Sequence, residues 1–178
     1  RFHGRRFPPG IRRAWNTVAA MPFENLSKAL KFREVGGVSE QSLRLPDEVL
    51  ADHRRYGTGA TCFALVYLFR HLLRLEEHAC ELRTCDRYSG PDTHAAAVFE
   101  WGRHRWMFDP GYHIFQPIPP RGKAAYRLPS NPNATRIRRL DNTRCECATR
   151  HAGQWKTRFV LKDEPTSEAH FKRAWTGS

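Results

Sequence analysis

Tyr56-Gly57-Thr58-Gly59-Ala60-Thr61-Cys62 runs directly into Phe63-Ala64-Leu65-Val66-Tyr67-Leu68-Phe69-Arg70-His71-Leu72-Leu73. The first segment consists of small residues after its tyrosine and predicts a loop. The second is apolar almost all round, the pattern of a helix buried on every side. Cys62 falls at the start of that helix, with Thr61 or Thr58 as its expected cap. A thiol placed there meets free backbone N–H groups and the positive end of the helix dipole. Both favour the thiolate, which is the nucleophilic form of cysteine.

Upstream, residues 1–13 are rich in Arg, Pro and Gly and predict an irregular entry. Ile11, Trp15, Val18 and Ala19 recur at helical spacing until Pro22 interrupts them. Gly36-Gly37 marks a loop, and Pro46-Asp47-Glu48-Val49-Leu50 opens another helix that runs to about residue 55. Downstream the pattern changes to strands, expected at 78–85, 94–101 and 105–109, the last two around a hairpin turn at Gly102-Arg103-His104. Pro117, Pro119, Pro120 and Gly122 predict an irregular crossing, and 129–134 a Pro- and Asn-rich loop. Further strands are expected at 135–140, 144–150 and 154–161, then a closing amphipathic helix at 164–175. Helices first and antiparallel strands after them make an α+β fold, a helical part packed on an antiparallel sheet or barrel. The chain divides weakly near residue 76 into a helical part (1–76) and a β part with its closing helix (77–178), together one compact catalytic unit.

Composition bounds the function classes. With 178 residues, 40% hydrophobic and 12 glycines, the chain is ordinary for one globular domain, which excludes disordered, collagen-like and fibrous classes. No run approaches 18 apolar residues, so no bilayer span is expected. The basic start is not followed by a signal-length apolar stretch, and a cytoplasmic location is the expectation. Thirty Lys and Arg against 18 Asp and Glu give a net charge of +12, a field that attracts polyanions or a phosphorylated cofactor. The basic residues are scattered and no zinc-finger, RRM or GxxG signature accompanies them, so a nucleic-acid partner is not expected. The five cysteines have an odd count and irregular spacing, which argues against a disulfide scaffold. Cys145-Glu146-Cys147 with His151 lacks a second ligand pair, and no metal is expected there.

The remaining chemistry gathers at the hairpin. His94 opens its first expected strand and Asp109 closes the second. A turn near Gly102 sets them facing across the ladder, Cβ atoms about 5 Å apart. A carboxylate in that position fixes the tautomer and orientation of the imidazole, and the Cys62 helix packed on the sheet would add the sulfur. Taken singly, Cys62 is a small buried hydrophobe, His94 a strand histidine and Asp109-Pro110-Gly111 a turn. Their joint placement at one helix start and one hairpin favours a Cys-His-Asp catalytic group.

In this order the residues resemble the papain-like, transglutaminase-like thiol fold, and more closely the arylamine N-acetyltransferase family. Met21-Pro22-Phe23-Glu24-Asn25-Leu26 is similar to that family's PFENL segment, and Gly57–Cys62 stands at its nucleophile loop. Thr93-His94, Asp109-Pro110-Gly111-Tyr112 and the following Pro117 and Pro119 resemble its histidine strand and aspartate turn. Residues 159–175, with Phe171 and Trp175, resemble the region where its sheet closes. The resemblance implies ping-pong transfer of an acetyl group from acetyl-CoA, through an acyl-cysteine at Cys62, to an arylamine, hydrazine or similar small-molecule amine. It assigns proton transfer to His94, orientation to Asp109, the acceptor pocket to Phe23, and the approach to the cofactor to Thr93, Gly111 and Tyr112.

Departures from the family pattern accompany it. Thr58-Gly59-Ala60-Thr61 replaces an arginine and paired glycines, so the partner of Glu24 would have to be Arg54 or Arg55. Phe63-Ala64-Leu65 follows the cysteine where the family carries an acidic or amide residue, and His113 stands where it carries glycine. The chain is also shorter than typical members, in the region that helps hold CoA. Two alternatives stay open: a Cys-His-Asp enzyme acting on a carrier-bound thioester or as a transglutaminase-like hydrolase, and a non-enzymatic relative that binds a polyanion.

Overall fold

A computed structural model describes residues 7–121, 125–128 (backbone alone) and 134–178. The helices are α1 (Pro9–Ala19), α2 (Leu26–Val35), α3 (Pro46–Tyr56), α4 (Cys62–Leu75) and α5 (Glu168–Thr176). The strands are β1 (Glu81–Arg87), β2 (Gly90–Trp101), β3 (His104–Asp109), β4 (Ile114–Pro117), β5 (Ala125–Leu128), β6 (Ala134–Arg139), β7 (Arg144–His151) and β8 (Gln154–Lys162). They form one antiparallel sheet in the order β4-β3-β2-β1-β8-β7-β6-β5. The α+β class expected from the pattern is the fold observed.

The sheet has an apolar layer on each face. Alternation along β2 sends Ala95, Ala97 and Phe99 toward α4, where Phe69 stacks on Phe108 of β3 with ring centroids 3.8 Å apart. Ala96 and Val98 point the other way, into a second core with Met107, Ile137, Cys147 and Phe159. The sheet curls around this second core. Thr135 of β6 donates to Gln116 of β4 at 2.8 Å, and Cys147 of β7 lies 3.8 Å from the Met107 sulfur of β3, although neither strand pair is adjacent in the ladder. Phe171 of α5, fully buried, packs edge-on against Phe63 of α4 at 5.1 Å.

Several boundaries differ from expectation. The first helix begins at Pro9, because proline is well suited to a first helical turn, and so reaches into the segment expected to be irregular. Strand β2 starts at Gly90, which puts His94 inside the strand rather than at its opening. Ile114–Pro117 is an edge strand where none is expected, and it ends on the Pro117 that opens the expected irregular crossing; proline is tolerated at an edge because no further strand needs its missing N–H. Helix α5 starts at Glu168, because residues before it run along β1, with Thr166 N–H bonded to the Leu82 carbonyl and Ser167 capping His170 N–H. Gly122 and all but the last residue of the expected 129–134 loop lie outside the described residues. No helix among the described residues is long and apolar enough to cross a membrane.

Candidate active site

The loop before Cys62 is held from three sides. Gly57, at φ +68°, ends α3 in the left-handed conformation that glycine permits. Gly59 passes so close to the preceding segment that a Cβ there would lie 1.6 Å from the Pro22 carbonyl oxygen. Ala60 N–H donates to that carbonyl and Glu24 N–H to the Ala60 carbonyl, both at 3.2 Å, a short parallel bridge between the Phe23 segment and the Cys62 loop. From the third side comes Arg44, 4% exposed, whose Nη1 donates to the Gly59 carbonyl at 2.7 Å and to the Ser27 hydroxyl. Its guanidinium is surrounded by Asp52 at 2.7 Å and by Glu24 and Glu48, each at 3.8 Å.

This corrects the expected partner of Glu24. Arg54 and Arg55 lie on the exposed side of the last turn of α3, Arg54 bonded to the Leu50 carbonyl and Arg55 set over Tyr56. Arg44 enters from the buried side, just ahead of the helix. Capping also differs: Thr61 occupies the N-cap position of α4 but its side chain makes no capping bond, and the buried Thr58 hydroxyl has no partner among the described residues. The first-turn N–H groups beside the Cys62 sulfur therefore carry no side-chain cap.

Cys62, His94 and Asp109 are 6%, 2% and 0% exposed. His94 Nε2 lies 3.0 Å from Asp109 Oδ2, and the Cys62 side chain is close enough to favour the charged form of the imidazole. The second Asp109 oxygen accepts from the Gly111 and Tyr112 N–H groups at 2.8 and 3.3 Å. The Asp-Pro-Gly turn thus fixes its own carboxylate by folding back on it. The route by which His94 and Asp109 meet differs from expectation. Trp101 pairs with His104 and Ala97 with Phe108, so the hairpin register aligns His94 with Gly111 and not with Asp109. The hydrogen bond crosses diagonally, between side chains on the same face of the sheet.

Burial by itself would lower the basicity of His94. The Asp109 charge and hydrogen bond override it, helped by Cys62, and raise the pKa to about 10. The ring is therefore an imidazolium at neutral pH, held against the Asp109 carboxylate.

Aromatic groups wall the site. The Phe159 ring centroid is 4.7 Å from that of His94, Tyr112 is 5.5 Å from His94, and Tyr112 stacks on Phe159 at 5.9 Å. A Cβ on Gly111 would sit 3.3 Å from His94 Cε1 and 3.7 Å from Phe23 Cε2, so glycine leaves the ring uncrowded. Phe23, 47% exposed, stands at the rim. The structure thus brings together Cys62, His94, Asp109, Gly111, Tyr112 and Phe23. Thr93 is different: its hydroxyl bonds the Gly90 carbonyl at 2.9 Å and Ser89 at 3.1 Å, within the β1–β2 turn. Sequence reasoning missed Phe159 and Arg44. Phe159 could have been found from the alternation of β8, whereas nothing local singles out Arg44.

The other thiols have different surroundings. Cys85, paired with His94 in the β1–β2 register, is fully buried and its pKa is raised, by burial first and then by the Asp109 and Cys62 charges. Burial pushes Cys80 up to about 12 and Cys145 to about 11, and Cys145 and Cys147 both point into the curled sheet. Among the described residues, no cluster of three His, Cys, Asp or Glu side chains is poised to hold a metal.

No protein-family model and no curated protein sequence matches the chain. Among solved structures it is similar to an arylamine N-acetyltransferase of Bacillus cereus described as having a Cys-His-Glu catalytic triad, with TM-score 0.68 and 18% identity over 97% of this chain and 68% of that one. It is similar also to the arylamine N-acetyltransferase of M. smegmatis (0.68, 20% identity, 96% of this chain and 65% of that one). A third is that of Salmonella typhimurium (0.68, 18% identity, 97% and 71%). The chain spans about two-thirds of their length, and at these identities the likeness is one of fold.

Proposed function

We propose that this chain is a thiol acyltransferase that moves an acetyl group from acetyl-CoA to an arylamine, hydrazine or similar amine. The observation that carries the reading is the buried row Cys62–His94–Asp109, on a fold shared with arylamine N-acetyltransferases. In the first half-reaction the Cys62 thiolate adds to the thioester carbonyl. The C–S bond to CoA breaks, and the departing thiolate takes a proton from the His94 imidazolium. In the second, the amine adds to the acyl-cysteine carbonyl, His94 accepts the amine proton, and the Cys62 thiolate leaves. Asp109 keeps Nε2 engaged and leaves Nδ1 for the exchange. The first-turn N–H groups of α4 are available to the oxyanion that develops at the carbonyl. Phe23 lines the acceptor side, and Gly111 and Tyr112 the donor side. Thr93 belongs to that donor side through its backbone, its hydroxyl being engaged in the turn.

Intact-mass measurement after incubation with acetyl-CoA tests the reading. One acetyl group is expected on the wild type, discharged by added arylamine, and none on Cys62→Ala. A wild type that iodoacetamide alkylates at Cys62 but acetyl-CoA does not acylate would overturn the donor and point to a carrier-bound thioester or a hydrolase.

A further inference from the structure

Strand β8 carries one residue more than its partner needs. Its pairing with β7 steps from Cys147–Phe159 to Ala148–Thr157, so Arg158 is the extra residue of a β-bulge. A bulge re-aims the side chain it inserts and lets neighbouring side chains share a face. Phe159 lies against His94, and Arg158 sits with its guanidinium carbon 5.4 Å from the centre of the Tyr112 ring, on the wall that Tyr112 and Phe159 form beside the imidazole. Nε of Arg158 donates to the Thr149 hydroxyl at 2.7 Å, which fixes the plane of the fork. Among the described residues no carboxylate pairs with it, although Arg136 and Arg138 of β6 are paired with Glu146 of β7. A half-buried, oriented and unneutralised guanidinium with two terminal NH2 groups is the form in which proteins hold a carboxylate or phosphate.

We infer that Arg158 is the anion-recognising residue of this site and binds an oxyanion, carboxylate or phosphate, carried by one of the two substrates. The bulge supplies the aim, Thr149 the orientation, and Tyr112 a face on which the cation rests beside the reacting groups. Which substrate bears the anion divides the inference into two arms, a carboxylated amine acceptor or the phosphates of the acyl donor. The kinetic test rests on the acyl-transfer reading of Cys62; the binding test does not.

For the acceptor arm, kcat/KM is measured with 4-aminobenzoate and with its uncharged ethyl ester. For the donor arm, the rate of Cys62 acylation is measured with acetyl-CoA and with the uncharged thioester S-acetyl-N-acetylcysteamine. In Arg158→Gln the charged-over-neutral ratio is expected to fall about tenfold or more in one arm, with Arg158→Lys retaining part of it. The arm that responds identifies the substrate carrying the anion. Unchanged ratios in both arms overturn the inference. If the wild type acylates with neither donor, the acyl-transfer reading fails, and calorimetric titration with 4-aminobenzoate and with CoA decides the anion site separately. A tenfold weaker Kd in Arg158→Gln for either ligand supports it, and equal Kd values for both overturn it.

Discussion

Asp109 engages all that surrounds it, one oxygen on the imidazole and the other on two backbone N–H groups. Asp109→Asn preserves the shape but presents an amide that can hold the ring in the wrong tautomer. Acyl-Cys62 formation is expected to fall about 10³-fold or more, measured by stopped acylation and mass spectrometry. Arg44 acts on the opposite side of the sulfur. Arg44→Met leaves the Gly59 carbonyl without its donor and three acidic side chains without their cation. Urea denaturation should show a loss of about 2–3 kcal/mol, less than for a wholly buried pair because the acids are partly hydrated. The candidate set Cys62, His94 and Asp109 is legible because each has a distinctive neighbourhood: a small-residue loop into an apolar helix, a strand histidine, an Asp-Pro-Gly turn. Arg44 and Arg158 are not, since their roles depend on contacts between segments far apart in the chain, and Phe159 is legible only as an inward position in the alternation of β8.

At the scale of elements, the Cys62 loop and the Phe23 segment meet with no room between them at Gly59. Gly59→Ala must break the Phe23–Ala60 bridge to place its methyl group. Iodoacetamide alkylation of Cys62 at neutral pH is expected to slow about tenfold or more as the helix start shifts, with helix content by circular dichroism retained. The hairpin shows which part of a register the letters carry. Gly102-Arg103-His104 accommodates turns centred one residue apart, and each such step displaces the pairing by two residues. A two-residue displacement keeps every side chain on its own face, so His94 and Asp109 were bound to share one even though the expected alignment differs from the observed one. Strand β4 is illegible for a related reason: it pairs on one side only, with β3, and so tolerates Pro117, which in isolation signals a loop.

For the molecule as a whole, the coupled His94 makes stability depend on alkali. Its folded pKa stands above the usual 6.5, at about 10. The stabilisation it contributes is therefore complete below pH 6.5 and disappears as pH rises through about 10. Thermal melts of the wild type should lose Tm between neutral pH and pH 10, and His94→Gln should lose less over the same interval. An equal slope in the two proteins would contradict the ion-paired ring. The two cores, one under α4 and one inside the curled sheet, share β2 between them, so this titration is expected to weaken the whole domain in one transition.

The sulfur atoms outside the site have a practical consequence. Cys85, Cys145 and Cys147 have no exposed surface, and burial holds these three and Cys80 protonated, while Cys62 lies beside a cation. A maleimide added to native protein should thus consume a single equivalent, and added in urea it should consume five. The polypeptide carries its own folding gauge, in which the number of sulfurs captured at any instant reports the fraction of chains that have come apart.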